Sequence, residues 1–190
     1  MLNIPNILTL LRIAAIPLVI VAYYLPFSWG NEVAMIVFVV ASITDWLDGY
    51  LARKLDQASS FGAFLDPVAD KLMVAAALVI LVADRENHAI SLSSELFTLV
   101  IIIIIGREIT VSALREWMAE IGKRSKVAVS IVGKFKTTAQ MIAIPFLLVR
   151  DPVLGLPLFQ IGEILLYLAA TLTLWSMTAY LRAAWPALKG

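Results

Sequence analysis

Apolar runs close to the length needed to cross a bilayer recur along this chain, separated by short stretches rich in proline, glycine, asparagine and charge. The first runs from Ile7 to about Tyr24 and is entered through Asn3, Pro5 and Asn6, with Thr9 and Arg12 in its opening turns. A turn at Leu25–Asn31, with Pro26 and Gly30, leads to a second segment from about Glu32 to Gly49. After the polar turn Lys54–Ser60, a third runs from about Phe61 to Ala83. Asp84–Ser94 reads as a polar loop. Glu95 to about Glu116 reads as a long fourth helix with five consecutive isoleucines at Ile101–Ile105, Thr137–Val149 as a short fifth and Leu158–Tyr180 as a sixth. Pro67 is expected to kink the third segment, because it removes a backbone donor inside a helix. The opening lacks the basic start and small-residue cleavage site of a signal peptide, so the first segment is expected to remain as a span. The pattern predicts an all-α polytopic membrane protein with six transmembrane helices, forming a single membrane domain over residues 1–190.

Composition agrees with the pattern. Hydrophobic residues make up 61% of the 190 and charged ones only 15%, a balance that belongs to membrane proteins. With no cysteine, a disulfide scaffold and a thiolate metal site are both excluded. The net charge of +1 matters less than where the charges fall. With six spans, both termini, the 54–60 turn and the 117–135 stretch share one side, and of the 15 Lys and Arg only Arg85 and Arg150 lie in the opposite loops. The positive-inside rule then places both termini, and the acidic residues near them, in the cytoplasm.

Those acids are the chain's main chemical feature. Asp45, Asp48, Asp66 and Asp70 sit at the facing ends of the second and third segments, each costing about 2.5–3.5 kcal/mol at bilayer depth if left unpaired. Asp45 and Asp48 are three apart and Asp66 and Asp70 four apart, so each pair projects from one face of its helix. If the two helices form a side-by-side hairpin, four oxygen-rich groups meet at one point. Hard divalent cations take such ligands, and two cations sharing them make a template for phosphoryl chemistry. Helix capping is the plainer alternative for any one of these acids. Gly49, Ala52 and Gly62 lie between the acids and Arg53, where small residues let a ligand approach the backbone closely, although they also serve ordinary helix packing.

The run D-x2-D-G-x2-A-R-x8-G-x3-D-x3-D, formed by Asp45, Asp48, Gly49, Ala52, Arg53, Gly62, Asp66 and Asp70, resembles the signature of the CDP-alcohol phosphotransferase family at all eight fixed positions. The opening N-I-P-N-x-L-T-x-x-R at Asn3–Arg12, G-R-E at Gly106–Glu108, Arg115 and the G-K-x-K-T run at Gly133–Thr138 resemble the branch of that family that uses a glycerol phosphate acceptor. The resemblance implies transfer of a phosphatidyl group from CDP-diacylglycerol to sn-glycerol 3-phosphate with release of CMP. It also implies Mg2+ or Mn2+, two ions per site, held by the four aspartates. CDP-diacylglycerol would be bound through Asp48, Gly49, Ala52, Arg53 and Gly62, and Asp70 would be the catalytic base. A homodimer in the bacterial cytoplasmic membrane, its site facing the cytoplasm, is expected. The partners implied are the two substrates and membrane lipid, with no nucleic acid.

A second charged group lies on the same side. Arg107 follows the five isoleucines inside a span, where a charge needs a partner or an anionic ligand. Arg107 and Arg115 are eight apart, close to one helix face, and with Lys134 and Lys136 they are expected to form an anion pocket for the acceptor's phosphate. Lys123, Arg124 and Lys126 serve equally well as topology signals attracted to anionic headgroups. His88, the single histidine, is expected to be a solvated loop residue opposite the acids, and most of the Trp and Tyr residues to be interfacial anchors. Serine or inositol phosphate as acceptor stays open, as does, more remotely, a divalent-cation carrier or a structural membrane subunit.

Overall fold

The structure is a computed structural model that describes residues 3–55, 59–122 and 131–188, and their side chains except at 53, 131–134, 187 and 188. Those residues form seven helices: α1 (Ile4–Tyr24), α2 (Gly30–Lys54), α3 (Ser60–Ala83), α4 (Arg85–Ile90), α5 (Ser94–Glu120), α6 (Ile131–Val149) and α7 (Leu158–Leu188). The starts follow local chemistry. Asn3 caps α1 by accepting from the Asn6 amide at 3.0 Å, with Pro5 in the first turn. Ser59 caps α3 through the Gly62 amide at 3.0 Å, and Ser93 caps α5 through Leu96. Asp84 accepts from the Glu86 amide and so turns part of the expected polar loop into the short helix α4. There His88 is half-buried rather than solvated, its Nε2 2.7 Å from the Val82 carbonyl and its ring edge-on to Phe97. α3 continues through Pro67.

Among the described residues four helices are long and apolar enough to cross a membrane: α1, α2 as far as Ala52, α5, and α7 as far as Pro186. α3 is long enough but carries Asp66, Asp70 and Lys71, and the apolar part of α6, Phe135–Val149, is short. Leu11, Ile43, Ile102 and Trp175 are each more than half exposed, as side chains facing lipid are.

Packing departs from a simple hairpin arrangement. α1 lies against both α2 and α3, whereas α2 and α3 touch each other only sparingly. The second and third helices therefore meet across the first. On the other side α6 packs along α7 and also reaches α2, while α5 leans on α7. Phe38, Leu81, Phe97, Ile104, Leu147 and Phe159 fill the shared core. A Cβ on Gly162 would lie 2.9 Å from the Ala143 carbonyl oxygen, so glycine is what lets α7 close onto α6.

The end opposite the acids is tied by a polar knot. Arg150, at a left-handed φ of 61°, reaches Asp84, Glu86 and the Tyr23 hydroxyl, and its guanidinium lies over the Tyr23 ring. Asn87 donates to Tyr23 at 2.8 Å and to the Leu81 carbonyl at 2.9 Å. Burial opposes the Arg150 charge, but Tyr23, Asp84 and Glu86 more than offset it and hold its pKa above the ordinary guanidinium value.

Candidate active site

Because α1 separates α2 from α3, its side chains decide how the four aspartates meet. Arg12 and Thr9, one turn apart on α1, are buried to 2% and 0% exposure. Arg12 Nη1 lies 2.7 Å from Asp45 Oδ1 and 2.6 Å from Asp70 Oδ1, and Nη2 donates to Asp48. Thr9 Oγ1 donates to Asp66 at 2.7 Å and stands 3.4 Å from Asp48. All four acids are thus gathered as their spacing predicts, but against α1, three of them around Arg12 and Asp66 on Thr9. The Arg12 Nε is buried with no partner among the described residues. Asp48 is the innermost of Arg12's three partners at 3% side-chain exposure, while Asp45 and Asp70 open outward at 34% and 40%. A small cavity lined by Arg12, Ser42, Asp45, Asp70, Met73 and Met141 adjoins the cluster.

The donor set suits a hard divalent cation, being four carboxylates from two helix ends. As they stand, however, no three acidic, histidine or cysteine side chains among the described residues are arranged to share an ion. The point on which the acids converge is taken by the guanidinium.

The small residues of the motif divide. Gly49 and Ala52 are half-buried on α2. Gly62 is enclosed by α1: an added Cβ would lie 2.6 Å from Asn6 Oδ1, so its missing side chain makes room for a neighbouring helix. The Arg53 side chain lies outside the described residues.

The second cluster is also self-paired. Arg107 on α5 is 8% exposed, donates through Nη2 to Ser176 Oγ on α7 at 2.7 Å and has Nη1 3.4 Å from Glu108, and its guanidinium lies over the Tyr180 ring. Lys136 on α6 is buried and donates to Glu108. Arg107 Nε is buried without a partner among the described residues. Arg115, in contrast, is exposed. Eight residues at 3.6 per turn leave it about 80° around the helix from Arg107, enough to carry one residue into the bundle and the other out of it. Lys134's side chain, and the whole of Lys123, Arg124 and Lys126, lie outside the described residues. Met141, which lines the cavity beside Arg12, is five residues beyond Lys136 on α6, or about 7.5 Å along the axis. The turn between them is about 140° around the axis, so α6 borders the acidic cluster with one face and the basic cluster with another.

The motif pattern alone singles out neither Thr9 and Arg12 as partners of the acids nor Glu108, Ser176 and Tyr180 as partners of Arg107. For Arg12 a signal existed: a charge within the first apolar segment demands a partner for the same reason as Arg107 does.

The sequence profile of CDP-alcohol phosphatidyltransferases matches residues 2–175, and the chain belongs to that family. Among curated relatives, a Sodalis glossinidius protein is 56% identical over 185 residues, covering 96% of this chain and 95% of its own length. One from Pectobacterium atrosepticum is 55% identical and one from Salmonella typhimurium 50%, each over 182 residues, 96% of this chain and 94% of the relative. All three carry the name CDP-diacylglycerol–glycerol-3-phosphate 3-phosphatidyltransferase.

Proposed function

We propose that this chain transfers the phosphatidyl group of CDP-diacylglycerol to a hydroxyl of sn-glycerol 3-phosphate, giving phosphatidylglycerophosphate and CMP at the cytoplasmic face of a bacterial inner membrane. The observation that carries this reading is a four-carboxylate cluster between α1, α2 and α3 together with an Arg–Lys–Glu cluster between α5 and α6, in a bundle of apolar helices. The names of relatives that match almost end to end support it. Six spans remain the natural reading, with the charged start of α3 at the interface and α6 crossing by borrowing the polar residues before Phe135.

Asp45, Asp48, Asp66 and Asp70 would hold Mg2+ or Mn2+, which when bound neutralises the pyrophosphate and the departing CMP. The acids of α2 and the backbone at Gly49 and Ala52 receive the nucleotide end, a role Arg53 would share. Arg107 and Lys136 take the acceptor's phosphate in exchange for Glu108, a role Lys134 and Arg115 would share. The acceptor's hydroxyl oxygen attacks the phosphatidyl phosphorus, the bond from that phosphorus to the CMP oxygen breaks, and the hydroxyl proton passes to a carboxylate. Asp70 suits this last task, because it is the most open of Arg12's three carboxylate partners. A cation carrier fits less well, since Arg12, Arg107 and Lys136 would repel its cargo.

The test is CMP release by purified protein given CDP-diacylglycerol with glycerol 3-phosphate, serine or inositol phosphate in turn. Release confined to glycerol 3-phosphate is expected. Release with another acceptor alone, or with none, would overturn the reading.

A further inference from the structure

We propose that Arg12 is a built-in counter-charge: it holds the acids of α2 and α3 together and keeps their affinity for divalent cations low. This rests on the reading of Asp45, Asp48, Asp66 and Asp70 as cation ligands. α2 and α3 scarcely touch, so beyond the direct approach of Asp45 to Asp70 the two acid pairs are joined through α1. Arg12 makes that joint, with one terminal nitrogen shared between Asp45 of α2 and Asp70 of α3 and the other on Asp48. Four carboxylates drawn this close would repel one another, and a fixed positive charge at their centre offsets the repulsion.

The same geometry opposes a cation. The guanidinium holds the point on which the acids converge, so an ion bound by both pairs must compete with a full positive charge a few Å away. The cavity it borders, lined by Ser42, Met73 and Met141 as well as Asp45 and Asp70, has room for about one water, so an ion that binds both pairs must push the guanidinium off at least one carboxylate. Arg12 thus acts as a positioning residue that exchanges places with the ion, and binding stays readily reversible.

The experiment titrates metal-stripped wild type, Arg12→Gln and Arg12→Lys in detergent with Mn2+, following free Mn2+ by electron paramagnetic resonance and unfolding by a thermal shift. Arg12→Gln should bind Mn2+ roughly tenfold more tightly or better, and should unfold at a lower temperature without the ion but recover with it. Arg12→Lys keeps the charge and loses the fork, so its affinity should stay near wild type while its ion-free stability falls. Wild-type binding with no tightening in Arg12→Gln overturns the proposal and leaves the ligand reading intact. No binding to either protein overturns both. Should Arg12→Gln fail to fold, wild type with 15N-labelled arginine decides: saturating Mg2+ should shift the Arg12 guanidinium resonance, identified by its loss in Arg12→Lys. An unmoved resonance overturns the exchange.

Discussion

Arg107 offers the cleanest test of the acceptor site, because its removal leaves little else undone. Its one short hydrogen bond goes to Ser176 Oγ at 2.7 Å, and that hydroxyl itself donates to the Thr173 carbonyl at 2.9 Å. Glu108 stands 3.4 Å from Arg107 but keeps Lys136. An Arg107→Gln substitution therefore strands no buried carboxylate, and Gln can still reach a hydroxyl. Removing Lys136 would instead leave Glu108 with only the long contact, so loss of fold and loss of binding would be confounded. A charge-assisted hydrogen bond to phosphate is worth about 1.5–3 kcal/mol. The KM for glycerol 3-phosphate should accordingly rise on the order of tenfold to a hundredfold, while that for CDP-diacylglycerol changes little. Initial rates of CMP release with each substrate varied in turn give both constants, and thermal unfolding confirms that the variant is folded. Equal rises in both constants with unchanged stability would refute the assignment and make the cluster an internal tie between α5, α6 and α7.

Replacing any one of Asp45, Asp48, Asp66 or Asp70 by Asn should abolish CMP release while leaving the protein inserted, and near-normal turnover in two of the four would sink the ligand reading. Chelation with EDTA should silence the wild type, with Mg2+ or Mn2+ restoring it; full activity after thorough chelation would count equally against that reading. Gly62→Ala should displace Asn6 and break its 3.1 Å bond from Ser59, lowering stability by about 1 kcal/mol in a thermal shift. An unchanged unfolding temperature would show that α1 and α3 are not held this closely. Arg150→Met should cost about 1–3 kcal/mol through its lost bonds to Asp84, Glu86 and Tyr23 and leave the KM values untouched, since it lies at the other end of the bundle.

What could be read from the sequence was whatever depends on spacing along one helix. Three and four residues between acids place each pair on one face, and a span-length apolar run makes a helix in lipid whatever its neighbours. What escaped depends on which helices touch. Two helices joined by a short turn are expected to pair, and here the preceding helix lies between most of their length, so Arg12 and Thr9 of that helix enter among the acids. Tyr180 shows the same limit, because an aromatic near a span end reads as an interfacial anchor, yet it is 7% exposed beneath Arg107. Face assignments also decay with distance: the error that is harmless over four residues puts Arg115 outside the bundle after eight.

The charge inventory of the site bears on the chemistry. Three carboxylates face one arginine and a fourth is held beside them by Thr9, an excess of negative charge at the place where, on the proposed reading, a nucleotide pyrophosphate comes. Like charges a few Å apart repel by several kcal/mol even when screened to an effective dielectric of about 20, so these residues alone would turn the donor substrate away. Among the described side chains of the basic cluster, Lys136 is already matched by Glu108. On the proposed reading, bound cations would supply positive charge at the binding step as well as at bond cleavage. Chelated protein should accordingly lose affinity for CDP-diacylglycerol along with turnover, measured by binding of the labelled lipid in detergent. Undiminished binding after chelation would mean that the nucleotide lies against Arg53 and the Gly49–Ala52 backbone without approaching the acids, and the aspartates would then have to act on the acceptor alone.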